Sequence, residues 1–323
     1  MNNTLKIMLL PMLLLAGCTK DIEVELPEYD SKLYVYAVSP VFNKMRVTVG
    51  RSVPIKEYSN YNTDFTVSNA TVLLYENDKA PIQLIYNENS KQYVSPVDIP
   101  LSATYRIEVS APGYESVSAS AALPGFVLIE DIQNKIVNSD SFGSTEFTIR
   151  FTDPPSKGDF YTIDFTSAYE LRDAAGRPGI PGQPEGEGGE RFGYDYGCLS
   201  STDPAIEDVA NKDPFTTEVC LPSKNMLISD ELFNGQARTI KFKLPKYYSD
   251  LYVDTVDGAQ VVTYSQVKLK HVSEEYVKYL RSYRKVRDNS GNPFVEPVNV
   301  YTNIANGYGL FAPVSEDIRQ VGQ

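Results

Sequence analysis

The sequence has no tryptophan, one histidine, three cysteines and a shortage of positive charge, and each scarcity removes a class of function. Against 42 acidic side chains stand 30 basic ones, for a formal net charge of −12, and no basic run occurs anywhere. Nucleic-acid binding draws its affinity from Lys and Arg neutralising phosphates, so this balance argues against such a partner. The single histidine, His271 in "KLKHVSEEY", is the sole candidate base for a Ser-His-Asp or Cys-His arrangement, and the chain lacks a Gly-x-Ser-x-Gly elbow. Its place at a strand end, just before a helix cap, predicts a surface or capping role. Zinc and iron sites need clustered His or Cys and fail for the same reason. Phosphate loops and dinucleotide fingerprints are also missing.

Carboxylate chemistry survives these exclusions, because a glycosidase needs only two acids about 5–10 Å apart. The lack of tryptophan counts against a sugar-processing cleft, although 23 tyrosines could supply aromatic platforms instead. Oxygen ligands for calcium occur in "DNSGN" (Asp288, Asn289, Ser290, Asn292), but without the EF-hand spacing or its terminal Glu, so an ordinary turn is expected. No metal, no cofactor and no catalytic set is therefore assigned, and the chain is read as a non-enzyme.

Long hydrophobic runs are scarce too. The longest, "IMLLPMLLL", follows Lys6 and is broken by Pro11; it falls short of the about 20 apolar residues that span a bilayer. It reads as the h-region of a signal peptide, and Leu15-Ala16-Gly17-Cys18 after it matches the lipobox at which bacterial lipoproteins are acylated and cut. Residues 1–17 are then the discarded signal and Cys18 the lipidated first residue. Acyl chains, contributing about 0.8 kcal/mol per buried methylene, would hold it on outer-membrane lipid. Residues 18–28 carry Lys20, Asp21, Glu23, Glu25 and Glu28, a solvated acidic tether. The tether resembles the short acidic signal that sends Bacteroidota lipoproteins to the cell surface.

With Cys18 so used, Cys198 and Cys220 form an even pair in an exported protein. The plain reading is a disulfide, worth about 3 kcal/mol in the chain-entropy model. A metal site is the rival reading, and it lacks histidine partners.

The composition, 42% hydrophobic and 22% charged, is that of a globular chain long enough for two domains or for one large all-β unit. From Lys32 the pattern is strand-like: "KLYVYAV", "KMRVTVGRSV", "ATVLLYEND", and above all "TYRIEVSA", where Tyr105, Ile107 and Val109 alternate with polar residues. Short strands with turns at this spacing predict a mainly β protein. Residues 29–124 are expected to form an antiparallel sandwich of roughly immunoglobulin size, and residues 125–323 a second β-rich domain. In the second, "STEFTIRFTDPP" and "GDFYTIDFTSAYEL" continue the period of two.

A Gly/Pro-rich stretch at about 174–197 then interrupts the pattern and ends in Phe192, Tyr194 and Tyr196. These aromatics read either as a partner-contact surface or as a loop folded back on its own domain. Short helices are expected at "DPAIEDVAN" and "SDELFNG", the latter stopped by Gly235. One longer helix is predicted near 273–287, with Ser273 as cap, Glu274 and Glu275 in the first turn, and a face of Tyr276, Val277, Leu280 and Tyr283 packed flat on a sheet.

The leader "CTKDIEVELPEYDSKL", the turn "SDELFNG" and the segment "NPFVEPVNVYTNIANGYGLF" together resemble the Bacteroidota lipoprotein family known as domain of unknown function 4249, in the family's order from Cys18 to about Phe311. Asn292-Pro293-Phe294 and Asn306-Gly307-Tyr308-Gly309 carry most of the likeness. The resemblance implies an envelope lipoprotein with an N-terminal immunoglobulin-like or transthyretin-like antiparallel sandwich, often encoded beside a TonB-dependent receptor, and implies no catalytic residues. The expectation is a lipid-anchored outer-membrane protein facing the cell exterior, acting as accessory or ligand-capturing partner of such a receptor. A structural subunit of an outer-membrane assembly complex and a carboxylate-dependent hydrolase of surface glycans are the alternatives.

Overall fold

A computed structural model describes residues 30–54, 64–77, 79–101, 103–137, 144–172, 191–192, 198–207, 219–222, 226–245, 253–256, 259–289 and 298–321. Alternating apolar residues set the strands of the first half: β1 (Leu33–Pro40), β2 (Lys44–Arg51), β3 (Thr71–Glu76), β4 (Ile82–Gln83), β5 (Ile85–Asn87), β6 (Gln92–Asp98), β7 (Thr104–Ser110) and β8 (Val117–Ala122). In β1 Leu33, Val35 and Ala37 point inward, and in β7 Tyr105, Ile107 and Val109 do the same, as the period of two requires. One sheet runs β4-β3-β7-β8; the facing layer is β1-β2-β6-β5. Between them lies a core that includes Leu33, Val47, Tyr93 and Ile107. The protein is mainly β, with this sandwich at its start.

The second half contributes β9 (Ile129–Val137), β10 (Ser144–Thr152), β11 (Phe160–Arg172), β12 (Arg191–Phe192), β13 (Cys198–Ser201), β14 (Val219–Pro222), β15 (Met226–Ser229), β16 (Ala237–Pro245), β17 (Val253–Val256), β18 (Ala259–Val272), helix α1 (Glu274–Asn289) and β19 (Tyr308–Val321). A second core, with Phe147, Phe151, Tyr161, Ile163 and Phe242, lies between the sheet β14-β13-β16-β10-β9 and strands β11 and β18. "SDELFNG" forms a 3-10 turn over Asp230–Leu232, entered through Ser229, whose Oγ accepts from the Glu231 amide, and followed by Gly235 at φ 70°. In "DPAIEDVAN" Asp203 Oδ1 accepts from the Ala205 amide at 2.9 Å, Pro204 and Ala205 form a turn, Ile206 bridges to Ile228, and Glu207, the last described residue there, is helical.

Helix α1 starts as expected, with Ser273 Oγ accepting from the Tyr276 amide and two acids in the first turn. Tyr276, Val277 and Leu280 are buried against Leu310, Ala312 and Val314 of β19. Tyr283, expected on the same face, is 48% exposed and lies outside the buried cluster, its ring stacked on that of Tyr279.

The two halves are joined through β19. Its first part pairs in parallel with β1, Tyr34 opposite Tyr308 through Pro40 opposite Val314. Its second part pairs antiparallel with β18, from His271 opposite Ser315 to Ser265 opposite Val321. The result is one long sheet in the order β12-β11-β18-β19-β1-β2-β6-β5, which crosses the 124/125 boundary read from the sequence. Ile304 and Phe311, from the far end of the chain, sit in the first core. The approach to β19 also pins β8: the Ala305 amide donates to Ser118 O at 2.8 Å. Asn303 brackets Phe311, accepting from its amide at 2.9 Å and donating to its carbonyl at 2.8 Å. "NIANGYGLF" is thus the segment that closes the sandwich.

Candidate functional site

The densest group of polar side chains in the described interior gathers where the two halves meet. In β18, Val267, Leu269 and His271 share the inward face, and His271 follows its neighbours into the protein, where it is 5% exposed. The surface or capping role expected of it is therefore corrected. Strand alternation assigns a face, and here that face is covered. Its Nδ1 lies 2.8 Å from Gly125 O and its Nε2 3.0 Å from Asp159 Oδ1. Gly125 O accepts where Nδ1 carries the ring proton, and Asp159 accepts where Nε2 does. Ser315 Oγ donates to the same Gly125 carbonyl at 2.8 Å, and the imidazole stacks on Tyr161 with centroids 4.9 Å apart. The only histidine thus ties β18 and β19 to the first residue after the sandwich.

Around it, Asp153, Asp159 and Asp230 each present a carboxylate oxygen within 4.8 Å of the others. Three hard oxygens at that spacing are what a calcium or magnesium ion takes as ligands. Here protein donors already serve them. Tyr161 donates to Asp153 Oδ1 and the Gly235 amide to its Oδ2 at 2.8 Å. The Gly158 amide donates to Asp230 at 3.0 Å, and Ser156 to Asp159 at 2.6 Å. Burial pushes the Asp153 carboxyl up, with the charges of Asp159 and Asp230 adding to it, against the pull of Tyr161 and Gly235. Asp153 and Asp230 are each 2% exposed, too deep for a glycan to meet. What the arrangement does is cross-tie the β10–β11 turn, the 3-10 turn and the linker.

A second polar group lies on the opposite face of the long sheet, under α1. Lys270 reaches Asp164, and stands 3.6 Å from Glu316, with all three side chains at most 18% exposed. Burial pulls the Lys270 ammonium down, but the two carboxylates outweigh it and raise it overall. Burial pushes the Asp164 carboxyl up. One cation between two acids leaves the triad one negative charge in excess when all ionise, which favours a proton on a carboxylate. The sequence reading missed this group: "VKLKHV" shows that Lys270 faces away from Leu269, and nothing local shows that a helix covers it.

The residues singled out in the sequence fall as follows. Cys18 and the acidic tether lie outside the described residues, as do Tyr194, Tyr196 and most of the 174–197 stretch. Phe192 belongs to the two-residue strand β12, opposite Ala168 at the edge of β11. In "DNSGN", Asp288 and Asn289 end α1, and Ser290 and Asn292 lie outside the described residues.

Cys198 and Cys220 occupy adjacent antiparallel strands, but out of register: Cys198 is opposite Pro222 and Cys220 opposite Ser200. Such diagonal positions lie on one face at about 7–8 Å between Cα atoms, just beyond the usual disulfide range of about 4.4–6.8 Å. The pairing therefore requires the hairpin to slide or twist, and a thiol count decides it. If the disulfide forms, the unreduced, unfolded protein exposes neither of these two thiols, and reduction lowers its stability by about 2–4 kcal/mol. Two reactive thiols without reductant would show that the hairpin keeps its register and the cysteines stay free.

The family model described as "Domain of unknown function (DUF4249)" matches residues 19–319. No curated protein matches the chain.

Proposed function

The chain belongs to the DUF4249 family, and from that premise we propose that it is a Bacteroidota outer-membrane lipoprotein, anchored through acylated Cys18, facing the cell exterior, and acting without catalysis beside a TonB-dependent receptor. The observation that carries the reading is Leu15-Ala16-Gly17-Cys18 after a short apolar run, followed by an acidic tether. The receptor as partner comes from the resemblance of the leader and of the "NPFVEPVNVYTNIANGYGLF" segment. Physically, a lipid anchor confines the protein to the plane of its membrane partner and raises the effective concentration, so a weak interface suffices. A lipid anchor by itself fixes no orientation, so the contacts come from the surface of the described residues or from the Phe192, Tyr194 and Tyr196 stretch.

The test is fractionation and co-purification. Cys18→Ala is expected to leave an unacylated protein in the soluble envelope fraction, and the acylated wild type to bring down a receptor barrel from solubilised outer membrane. Membrane retention of Cys18→Ala through a high-salt wash would remove the anchor from the reading. Recovery of assembly factors in place of a receptor would favour the structural-subunit alternative.

A further inference from the structure

Beside α1, on the outer face of the long sheet, a groove of about 540 Å³ runs across β1, β2, β18 and β19. Its lining gathers charge of the sign this chain has least of. Lys44 and Arg46 project from β2 and Lys268 from β18, in a protein whose formal net charge is −12. Lys44 and Arg46 have no side-chain partner among the described residues, although 42 acids are available in the chain. Register explains their convergence. In β2 Lys44 and Arg46 are outward-facing between the inward Met45 and Val47, and the β1–β19–β18 pairing sets Lys268 opposite Ile318 across the groove wall.

The floor is of opposite character. Glu316, its side chain 8% exposed, lies there with a lone contact to Lys270 at 3.6 Å. Gln266 lines the same groove, and its Oε1 is buried without a hydrogen-bond partner. An unpaired buried acceptor costs about 1–3 kcal/mol, and rotation of the Gln266 amide toward the groove would let a ligand donor recover it. Tyr36 adds an aromatic wall. A ligand that satisfies both halves must carry an anion for the cations and hydrogen-bond donors for Gln266 and Glu316. Sulfate and chloride lack the donors, hydrogen phosphate and bicarbonate lack a ring face for Tyr36, and neutral polyols lack the charge. A sugar acid has both, with an apolar ring face for Tyr36, and the volume suits about one to three sugar units.

We propose that this groove binds an acidic saccharide, its carboxylate held by Arg46 and Lys44 and its hydroxyls donating to Gln266 and Glu316. Arg46 offers the fork that matches a carboxylate in two parallel bonds, and Lys44 a mobile point charge. The proposal depends neither on lipid anchorage nor on a receptor, so unacylated protein answers it equally well.

The full chain, purified in detergent, is titrated with trigalacturonate, neutral galactotriose and citrate by calorimetry and saturation-transfer NMR. Trigalacturonate is expected to bind with a Kd of about 10 μM to 1 mM, and galactotriose and citrate at least about tenfold more weakly. Raising salt should weaken trigalacturonate and any residual citrate binding, and leave neutral galactotriose unchanged. Arg46→Gln with Lys44→Gln should lower its affinity about tenfold or more while leaving the melting curve unchanged, since both side chains are exposed. Gln266→Leu should weaken both sugars and spare citrate. Equal binding of galactotriose removes the acid from the assignment, and equal binding of citrate removes the sugar. No trigalacturonate binding at about 10 mM, or affinity untouched by the double substitution, overturns the proposal altogether.

Discussion

Gly309→Ala is expected to abolish folding or to destabilise the chain by about 4 kcal/mol or more, as a backbone clash and not as a lost contact. Gly309 sits at φ 113° where β19 enters its parallel pairing with β1, and a β-carbon built there falls on the Val35 carbonyl oxygen. An alanine must both adopt a conformation that L-residues avoid and push β19 off β1. Moving β19 disturbs more than one pairing, since the same strand carries Phe311 into the first core and continues into β18. Gly113→Ala is the control. It has φ 83°, but nothing lies within 4 Å of the added carbon, so only the conformational cost of about 1 kcal/mol should appear. Urea denaturation followed by far-ultraviolet circular dichroism compares the two. If Gly309→Ala unfolds at the same urea concentration as Gly113→Ala, the close approach of β19 to β1 is wrong.

Lys270→Met should cost about 3–5 kcal/mol at neutral pH, because it leaves Asp164 and Glu316 buried without their cation. The loss should depend on pH in a definite direction. Burial raises the Asp164 carboxyl in the folded protein, so the folded state takes up a proton more readily than the unfolded one. Its contribution is most favourable below the ordinary carboxylate range and is lost as pH rises through the folded value. The variant's deficit is therefore largest at neutral pH and shrinks on acidification, as protonation removes the charge left uncompensated. Adding Asp164→Asn to Lys270→Met should recover part of the stability at neutral pH, since Glu316 remains. Denaturation between about pH 5 and pH 8 gives the profile. A deficit under about 1 kcal/mol, or one that is flat across that range, would mean that the triad is solvated and not buried.

Both predictions turn on features with no local signature. The alternation in "TYRIEVSA" was enough to place Tyr105, Ile107 and Val109 in a core, because strand geometry sends every second side chain to one face. Ser273, Glu274 and Glu275 were enough to place the start of α1, because capping is decided within one turn. Gly235 and Ser229 similarly marked the 3-10 turn. Tyr283 marks the limit of such reasoning: helical spacing gives its azimuth, but whether anything covers that position is decided by the rest of the fold.

The candidate sites were less legible. Asp164 and Lys270 are 106 residues apart and meet only because β11 and β18 pair with Ile163 opposite Leu269. His271 could be given a face but not a depth. The two cysteines could be counted, but their register is set by how β13 and β14 pair, which spacing does not reveal. The groove draws Lys44 and Arg46 from one end of the chain and Gln266, Lys268 and Glu316 from the other.

By itself the sequence determined the mainly β class, the strand faces and the capped helix, all of which rest on patterns within a few residues. Only the tertiary structure decided that the last strand would run parallel to the first, that one sheet would span both halves, and that the lone histidine would be buried at their junction. Parallel pairing has no connecting turn to betray it, and its partners lie at opposite ends of the chain. "NGYG" was visible as a motif, but the need for a residue without a side chain at Gly309 arises only once the Val35 carbonyl stands against it.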